Sequence, residues 1–381
     1  MDFECSPQQR ALYERIFRFA RQELEAICAA RGYDTLFGRD EMRLCGEHGL
    51  LGLCVPDAEG GGGRGLLDTA LAMEALTLGA GDVGLGFAIA AHLFACCTPI
   101  AEFGNDKLRR RILPRLCSGE WIGANAITEE GAGSDVFAMT TTARREGDVY
   151  VLDGQKSFVT NAPMADVFVV FAKTNAAHGF LGITGFVVER GTPGLHIGPT
   201  LAKMGLSSIP ASSIELRGCA VPMGNRIGEE GQGGVIFGRS MQWERAGLFA
   251  IWTGDMQRRL EQVIAHVKTR RQFGQRISKK QAVAHRIADM KLRLESSRLL
   301  WQRACFLLDR GTASALDVSM AKIAVSEAAI ASSIDAIQLF GSKGYLQPSG
   351  VERALRDAMA ATIASGTSEV QRDIIARDLG L

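Results

Sequence analysis

Apolar positions recur every three to four residues through the first third of the chain. Leu12, Ile16, Phe19, Ala20, Leu24 and Ile27 keep that spacing, which predicts an amphipathic helix. Ser6-Pro7 just ahead suits a cap followed by a first-turn proline. The same pattern predicts helices at about 38–47, 67–78, 82–95 and 106–116, the last with Arg109, Arg110 and Arg111 on its solvated side. The middle third changes period. Short runs at 149–152, 167–171, 183–189 and 213–216 are rich in β-branched and aromatic residues and are punctuated by Asp153-Gly154, Gly191-Thr192-Pro193-Gly194 and Arg217-Gly218, which is the pattern of strands and turns. The last third returns to long helices: 238–271 is broken only by Gly247 and Gly254, 281–308 has no Gly or Pro, and 315–340 is rich in Ala and Ile. Such helices predict a four-helix bundle, packed on most sides. The order helices, strands, helices predicts an α+β protein with an N-terminal helical domain (1–120), a central β domain (121–225) and a C-terminal bundle (226–381).

Composition narrows the function classes. The chain of 381 residues is 46% hydrophobic and 22% charged, with 43 Lys and Arg against 42 Asp and Glu. That balance gives no electrostatic reason to expect nucleic acid or an anionic membrane as partner. The nine cysteines form no CxxC pair and read as reduced, mostly buried thiols of a cytoplasmic protein, and the six histidines show no metal-ligand spacing. The first residues, Met1-Asp2-Phe3-Glu4-Cys5-Ser6-Pro7, are acidic and lack the apolar core of a secretory signal. The most apolar stretch, 84–100, is interrupted by Gly86, His92 and Pro99 and reads as a buried helix rather than a membrane span. The glycine run 60–63 lacks a following GK[ST] and reads as a flexible turn, not a phosphate loop. No GxGxxG follows a strand, so a Rossmann cofactor site is disfavoured.

Four constellations carry candidate chemistry. Ala126-Ile127-Thr128-Glu129-Glu130-Gly131-Ala132-Gly133-Ser134-Asp135 offers backbone N–H groups and hydroxyls at close range, as a flat hydrogen-bonding ring or a phosphate requires. By composition alone it is a polar turn. Lys156-Ser157-Phe158-Val159-Thr160-Asn161 follows an Asp-Gly turn, and Phe158 could equally be core. Arg270-Arg271-Gln272-Phe273-Gly274, with Gln281, suits phosphate contact or simply an exposed helix end. Gln338-Leu339-Phe340-Gly341 precedes Ser365-Gly366-Thr367-Ser368-Glu369-Val370-Gln371.

Together these stretches resemble the flavin-site signatures of the acyl-CoA dehydrogenase superfamily, and the resemblance extends over essentially the whole chain. It implies a helical domain, a β-barrel-like domain and a C-terminal four-helix bundle, with FAD as cofactor. It implies that Asn125, Ile127, Thr128, Gly133, Ser134, Phe158 and Thr160 lie at the flavin, Asn125 standing where relatives often carry an aromatic residue. It further implies that Arg270, Phe273, Gln281, Gln338, Gly341, Ser365, Thr367 and Glu369 hold the rest of FAD, with Arg270 reaching a neighbouring subunit, so that the protein is at least a dimer and commonly a tetramer. No metal is expected.

The chemistry of that family removes a thioester α-proton, a weak acid that needs a positioned carboxylate of raised pKa. In many relatives a Glu precedes the Gly-Thr of the last motif; here the residue is Ser365, which cannot serve as base alone. Other members, such as isovaleryl-CoA dehydrogenase, carry the Glu before an Arg on a helix of the bundle, and Glu244-Arg245 stands there. Glu244 is therefore the expected base, against the plain reading of a helix glutamate that is solvated or paired with an Arg. Ser134 and Arg245 are expected to reach the substrate. The segments 161–168, 172–182 and 365–377, with Trp243-Glu244, are most similar to the L-prolyl-carrier-protein dehydrogenases of natural-product assembly. The expected activity is FAD-dependent α,β-dehydrogenation of an acyl or aminoacyl thioester on a carrier protein. The alternatives are a conventional short- or branched-chain acyl-CoA dehydrogenase and a flavoprotein that no longer dehydrogenates.

Overall fold

A computed structural model describes residues 4–30 and 35–381; Met1, Asp2 and Phe3, part of the stretch read for a signal, lie outside the described residues. The N-terminal helices are α1 (Pro7–Phe19), α2 (Glu25–Ala30), α3 (Arg39–Glu47), α4 (Leu66–Ala80), α5 (Val83–His92), α6 (Thr98–Phe103) and α7 (Asp106–Ser118). Ser6 caps α1 in a reciprocal capping box with Gln9, as Ser6-Pro7 predicted. Two widened π-turns interrupt the expected regular helices: Ala20–Leu24 joins α1 to α2, and Leu93–Cys97 joins α5 to α6. The α5–α6 run, Val83–Phe103, is long and apolar enough to cross a membrane, but 89% of its most apolar window is buried inside the protein.

The β domain contains β1 (Gly123–Ala126), β2 (Thr142–Glu146), β3 (Val149–Thr160), β4 (Val167–Lys173), β5 (Ile183–Glu189), β6 (Leu195–Ile197), β7 (Ala211–Pro222) and β8 (Arg226–Ile227). Their order is β6-β7-β3-β2-β4-β5-β8, with β1 added parallel to β4. The strands β1, β2, β6 and β8 were not expected, being short or polar, and β3 and β7 run well beyond the apolar runs that announced them. Side chains alternate across β4. Phe168, Val170 and Ala172 face a core shared with Tyr150, Leu152, Ile214 and Val221 of β3 and β7, so the sheet curls around its own interior like a barrel. Val167, Val169 and Phe171 face the other way, onto a core shared with α6 and α7. Two of the three arginines placed on the solvated side of α7 are in fact half-buried: Arg109 pairs with Glu59 at 3.2 Å, and Arg111 reaches Glu189 and Asn225 of the β domain.

The C-terminal helices are α8 (Gly233–Trp243), α9 (Ala250–Thr269), α10 (Gln281–Asp309), α11 (Ala315–Phe340), α12 (Ser342–Tyr345), α13 (Val351–Met359) and α14 (Ser368–Asp378). The expected continuous helix at 238–271 is broken by a third π-turn, Glu244–Leu248, which supplies Glu244. The main core runs through α1, α4, α5, α9, α10, α11 and α13, fusing the two helical regions. The helix α11 is less enclosed than its composition predicts, with Ile334 half-exposed. The fold is α+β.

The glycine run 60–63 overturns an expectation. It is a held turn, not a flexible one. The Gly61, Gly62 and Gly63 amides donate to Pro56, Gly52 and Val55 carbonyls at 2.9–3.1 Å. A Cβ on Gly61 would stand 2.0 Å from the Val55 carbonyl oxygen. Gly61 is required for close approach, while Gly60 (φ 85°) and Gly63 (φ 57°) take left-handed conformations.

Candidate active site

The helix α8 delivers Glu244 at the first position of its π-turn. Such a turn shifts the register of the residues that follow and is frequent at functional sites. Facing it is the segment between α13 and α14. Ser365 adopts φ 57° and Gly366 φ 90° before Thr367 caps α14 by accepting from the Val370 amide. A left-handed serine is strained backbone that its surroundings must hold. The holding groups are consecutive residues. The Ser365 hydroxyl donates to Glu244 Oε1 in a short hydrogen bond, and Arg245 Nε donates to the Ser365 carbonyl at 2.7 Å. Gly366 fits tightly beside them, since a Cβ there would lie 2.8 Å from Gln371 Nε2 and 3.1 Å from Arg245 Nη2.

The Glu244 carboxyl is pushed above its ordinary range by burial, while the Ser365 hydroxyl and the Arg245 charge pull it back only in part. A carboxyl in that setting can take a proton from a weak carbon acid. Glu244 is therefore neither freely solvated nor locked in an ion pair, because the guanidinium beside it is turned toward the Ser365 carbonyl. Arg245, expected to reach substrate, is engaged on the protein's own backbone.

A second buried carboxylate lies beneath the first signature. Lys156, fully buried on β3, donates to Glu129 Oε1 at 2.9 Å and to the Ile127 carbonyl at 3.1 Å. Glu129 also accepts from the amides and hydroxyls of Thr140 and Thr141. Burial alone would raise this carboxyl, but those bonds outweigh it and hold it at about 2. The Ser157 amide donates to the Thr128 carbonyl at 2.8 Å, which stitches the loop to β3. Above this foundation Thr128 is half-buried, and Gly133 and Ser134 are exposed. Phe158 sits in a β-bulge at φ 58° with 66% of its surface exposed, so the alternative that it is core is excluded. Thr160, two residues on, is half-buried and pairs with Ala211. Asn125 is half-buried on β1, and its amide donates to the Ala95 carbonyl at 2.9 Å.

The remaining candidates gather elsewhere. Arg270 ends α9, and Phe273 stands 91% exposed at φ 50° at the tip of a small hairpin, with Lys280 Nζ 5.7 Å from its ring centre. Gln281 opens α10 and is exposed. His266 stacks on Phe340 at 4.2 Å, which brings the end of α9 beside the end of α11, where Gln338 and Gly341 are exposed. Burial lowers the His266 pKa, helped by the charges of Lys343 and Arg270. A cationic patch therefore marks this corner, apt for a phosphate group. Glu369 is exposed in the first turn of α14.

Sequence reasoning missed the Lys156–Glu129 pair, although both residues stand in quoted motifs. It also missed the bond from Ser365 to Glu244. Each depends on contacts across 27 and 121 positions, which no local pattern displays.

Three descriptions match in register with these regions: acyl-CoA dehydrogenase N-terminal domain over residues 6–120, middle domain over 124–219 and C-terminal domain over 231–380. The chain belongs to the acyl-CoA dehydrogenase family. Among its relatives is an L-prolyl-[peptidyl-carrier protein] dehydrogenase from Pseudomonas fluorescens, 49% identical over 382 residues and covering all of both chains. Among solved structures, PigA with FAD and proline superposes with a TM-score of 0.98 at 43% identity, again over all of both chains. The prolyl acyl carrier protein oxidase AnaB superposes at 0.96 with 40% identity, over 99% of this chain and 100% of that one.

Proposed function

We propose that the chain is an FAD-dependent dehydrogenase of a carrier-tethered aminoacyl thioester, of the prolyl class, acting in natural-product assembly. The observation that carries the catalytic assignment is the half-buried Glu244 carboxyl with its single hydroxyl partner, Ser365. The full-length likeness to prolyl-carrier-protein enzymes supports the substrate class.

The residues fit the cofactor. Phe158 offers an exposed aromatic face beside the Thr128–Ser134 loop, and the Arg270 and Lys343 charges supply an anion site at the other end. FAD, when bound, would supply the hydride acceptor for the substrate β-carbon. Thr128, Gly133, Ser134, Phe158 and Thr160 would hold its ring, and Arg270, Phe273, Gln281, Gln338, Gly341, Thr367 and Glu369 its remaining parts. Glu244 takes the α-proton. Ser365 orients the carboxylate while it is charged, and Arg245 fixes Ser365 by its carbonyl. Burial favours the neutral acid, so the Glu244 carboxylate is a stronger base toward a thioester α-proton than a solvated one.

Exposed Phe273, Gln338 and the half-exposed Ile334 on α11 support a dimer or larger oligomer in which such surfaces are covered. Nine free thiols, seven of them buried, fit a reducing compartment such as the cytoplasm. The test is anaerobic mixing of the FAD-loaded protein with prolyl-carrier protein and, separately, with prolyl-CoA. Rapid bleaching of the flavin by the carrier form is expected. Bleaching by the CoA form alone would overturn the carrier assignment, and bleaching by neither would overturn the dehydrogenase reading for this substrate.

A further inference from the structure

The helix α11 buries a charge that nothing pairs. Lys322 is fully buried, and its Nζ has no hydrogen-bond partner among the described residues. It lies over the ring of Phe249, 5.4 Å from the ring centre. Burial, and next the charge of Arg245, push its pKa down to about 8; Arg372 adds to the repulsion, while Glu369 and Glu327 pull the other way. At neutral pH it is therefore still a cation. Neither carboxylate bonds the ammonium: Glu327 is bonded to Arg372 of α14, and both glutamates are exposed. An unpaired buried ammonium costs stability, so its place in the fold calls for a compensating role.

The surroundings supply one. Phe249 directly follows the π-turn Glu244–Leu248 and stands four residues after Arg245, on the same flank of the helix. The ammonium over Phe249 thus faces the flank from which the Arg245 side chain departs. One turn earlier on α11, Ser319 donates to Gln371 Oε1 at 3.0 Å, and Gln371 Nε2 donates to the Gly366 carbonyl at 3.4 Å. One face of α11 therefore supports both the π-turn that carries Glu244 and the segment that carries Ser365. Two oxygen acceptors compete for Arg245 there. It takes the Ser365 carbonyl at 2.7 Å and acts on Glu244 by charge, without an ion pair. Two cations withdrawn from water repel each other strongly, which closes the flank over Phe249 to the guanidinium. We infer that Lys322 is a positioning residue, whose buried cation holds the Arg245 guanidinium on the Ser365 carbonyl and so keeps Glu244 out of an ion pair.

The inference rests on Glu244 being the base, and the experiment separates the two. Flavin bleaching by prolyl-carrier protein is followed anaerobically, per bound FAD, in wild type, Lys322→Met, Arg245→Ala, the double variant and Glu244→Gln. Lys322→Met should lower the rate by at least about tenfold, as misplacing a group at the reaction centre by about an ångström does. Its urea midpoint should be no lower than that of wild type, because an unpaired buried charge has gone. The acid limb of kcat/KM should move to lower pH, since a freed guanidinium pairs with Glu244 and favours its charged form; loss of the Lys322 charge alone would move it up. In the Arg245→Ala background the same substitution should change the rate by less than about twofold, because the two residues act as a unit. A wild-type rate in Lys322→Met, an acid limb that stays or rises, a lowered urea midpoint or an equal loss in both backgrounds would overturn the inference and leave the base assignment standing. An undiminished rate in Glu244→Gln would defeat that assignment and this inference with it. No bleaching in wild type would defeat the proposed function as a whole, and this inference with it.

Discussion

Glu129 and Glu244 are both glutamates withdrawn from water, and their surroundings drive them in opposite directions. Glu129 receives an ammonium, two hydroxyls and two amides, and its carboxyl falls to about 2. Glu244 receives one hydroxyl, with a neighbouring guanidinium occupied elsewhere, and its carboxyl rises. Burial raises both carboxyls, and the hydrogen bonds outweigh it only at Glu129. A saturated carboxylate is a structural fastener. An under-partnered one stays basic and available.

The comparison breaks most sharply at Glu244. Glu244→Gln should lower the rate of flavin bleaching by about 10³-fold, within the range for loss of a general base, with FAD retained in full. Its stability follows the opposite sign. A carboxyl whose folded pKa is raised contributes stability below its unfolded value and loses it as pH rises through the folded one. At neutral pH the glutamine variant should therefore melt no lower than wild type; a clear drop would mean that Glu244 is a fastener too.

Lys156→Met should do the reverse. Leaving Glu129 buried without its cation is expected to cost about 3–5 kcal/mol in urea unfolding and to loosen the loop above it, so that FAD binding weakens. Glu129→Gln should also destabilise at neutral pH. Because the folded Glu129 lies below its usual 4.5, its contribution is present above that value and fades as pH falls toward about 2. The gap between wild type and Glu129→Gln in urea midpoints should narrow over that window.

Phe158→Ala tests the exposed ring on the β3 bulge. Removing an exposed ring should change stability by under about 0.5 kcal/mol, yet weaken FAD binding roughly tenfold, as loss of an aromatic packing face does. Fluorescence titration with FAD measures it. The smallest effect is expected at Ser365. Its hydroxyl lowers the Glu244 pKa, so Ser365→Ala should move the acid limb of kcat/KM to higher pH and cost several-fold in rate below that limb. A pH–rate profile that does not move would show that the serine orients nothing.

What could be read along the chain was read where the determinants are neighbours in sequence. Ser6 and Gln9 cap α1 across three positions, and β4 and β5 announce themselves by their own apolar runs. The loop residues Thr128 to Ser134 are contiguous, and their chemistry is visible as composition. Phe158 was legible as an aromatic after a turn, but whether it was core or surface was not. That depended on a bulge between Lys156 and Val159, which turns its ring outward. The glycine run 60–63 was misjudged for the same reason. Glycine reports permitted backbone freedom, and only the fold shows how it is spent: Gly60 and Gly63 take left-handed φ, and Gly61 lies where a Cβ would stand 2.0 Å from the Val55 carbonyl. The π-turns at Leu93–Cys97 and Glu244–Leu248 leave no mark in hydrophobic periodicity, since one added residue in a turn is within the tolerance of a helical stripe.

The sequence by itself determined the order of helices, strands and helices and the composition of the loops proposed for the cofactor. These follow from periodicity and from residues adjacent along the chain. Tertiary structure alone decided what each polar group would be. It set Ser365 against Glu244 from 121 residues away, closed Lys156 over Glu129, and turned Asn125 toward the π-turn Leu93–Cys97. The physical reason is that a carboxyl's pKa and a donor's direction are fixed by burial and by partners, and partners are brought together only by folding.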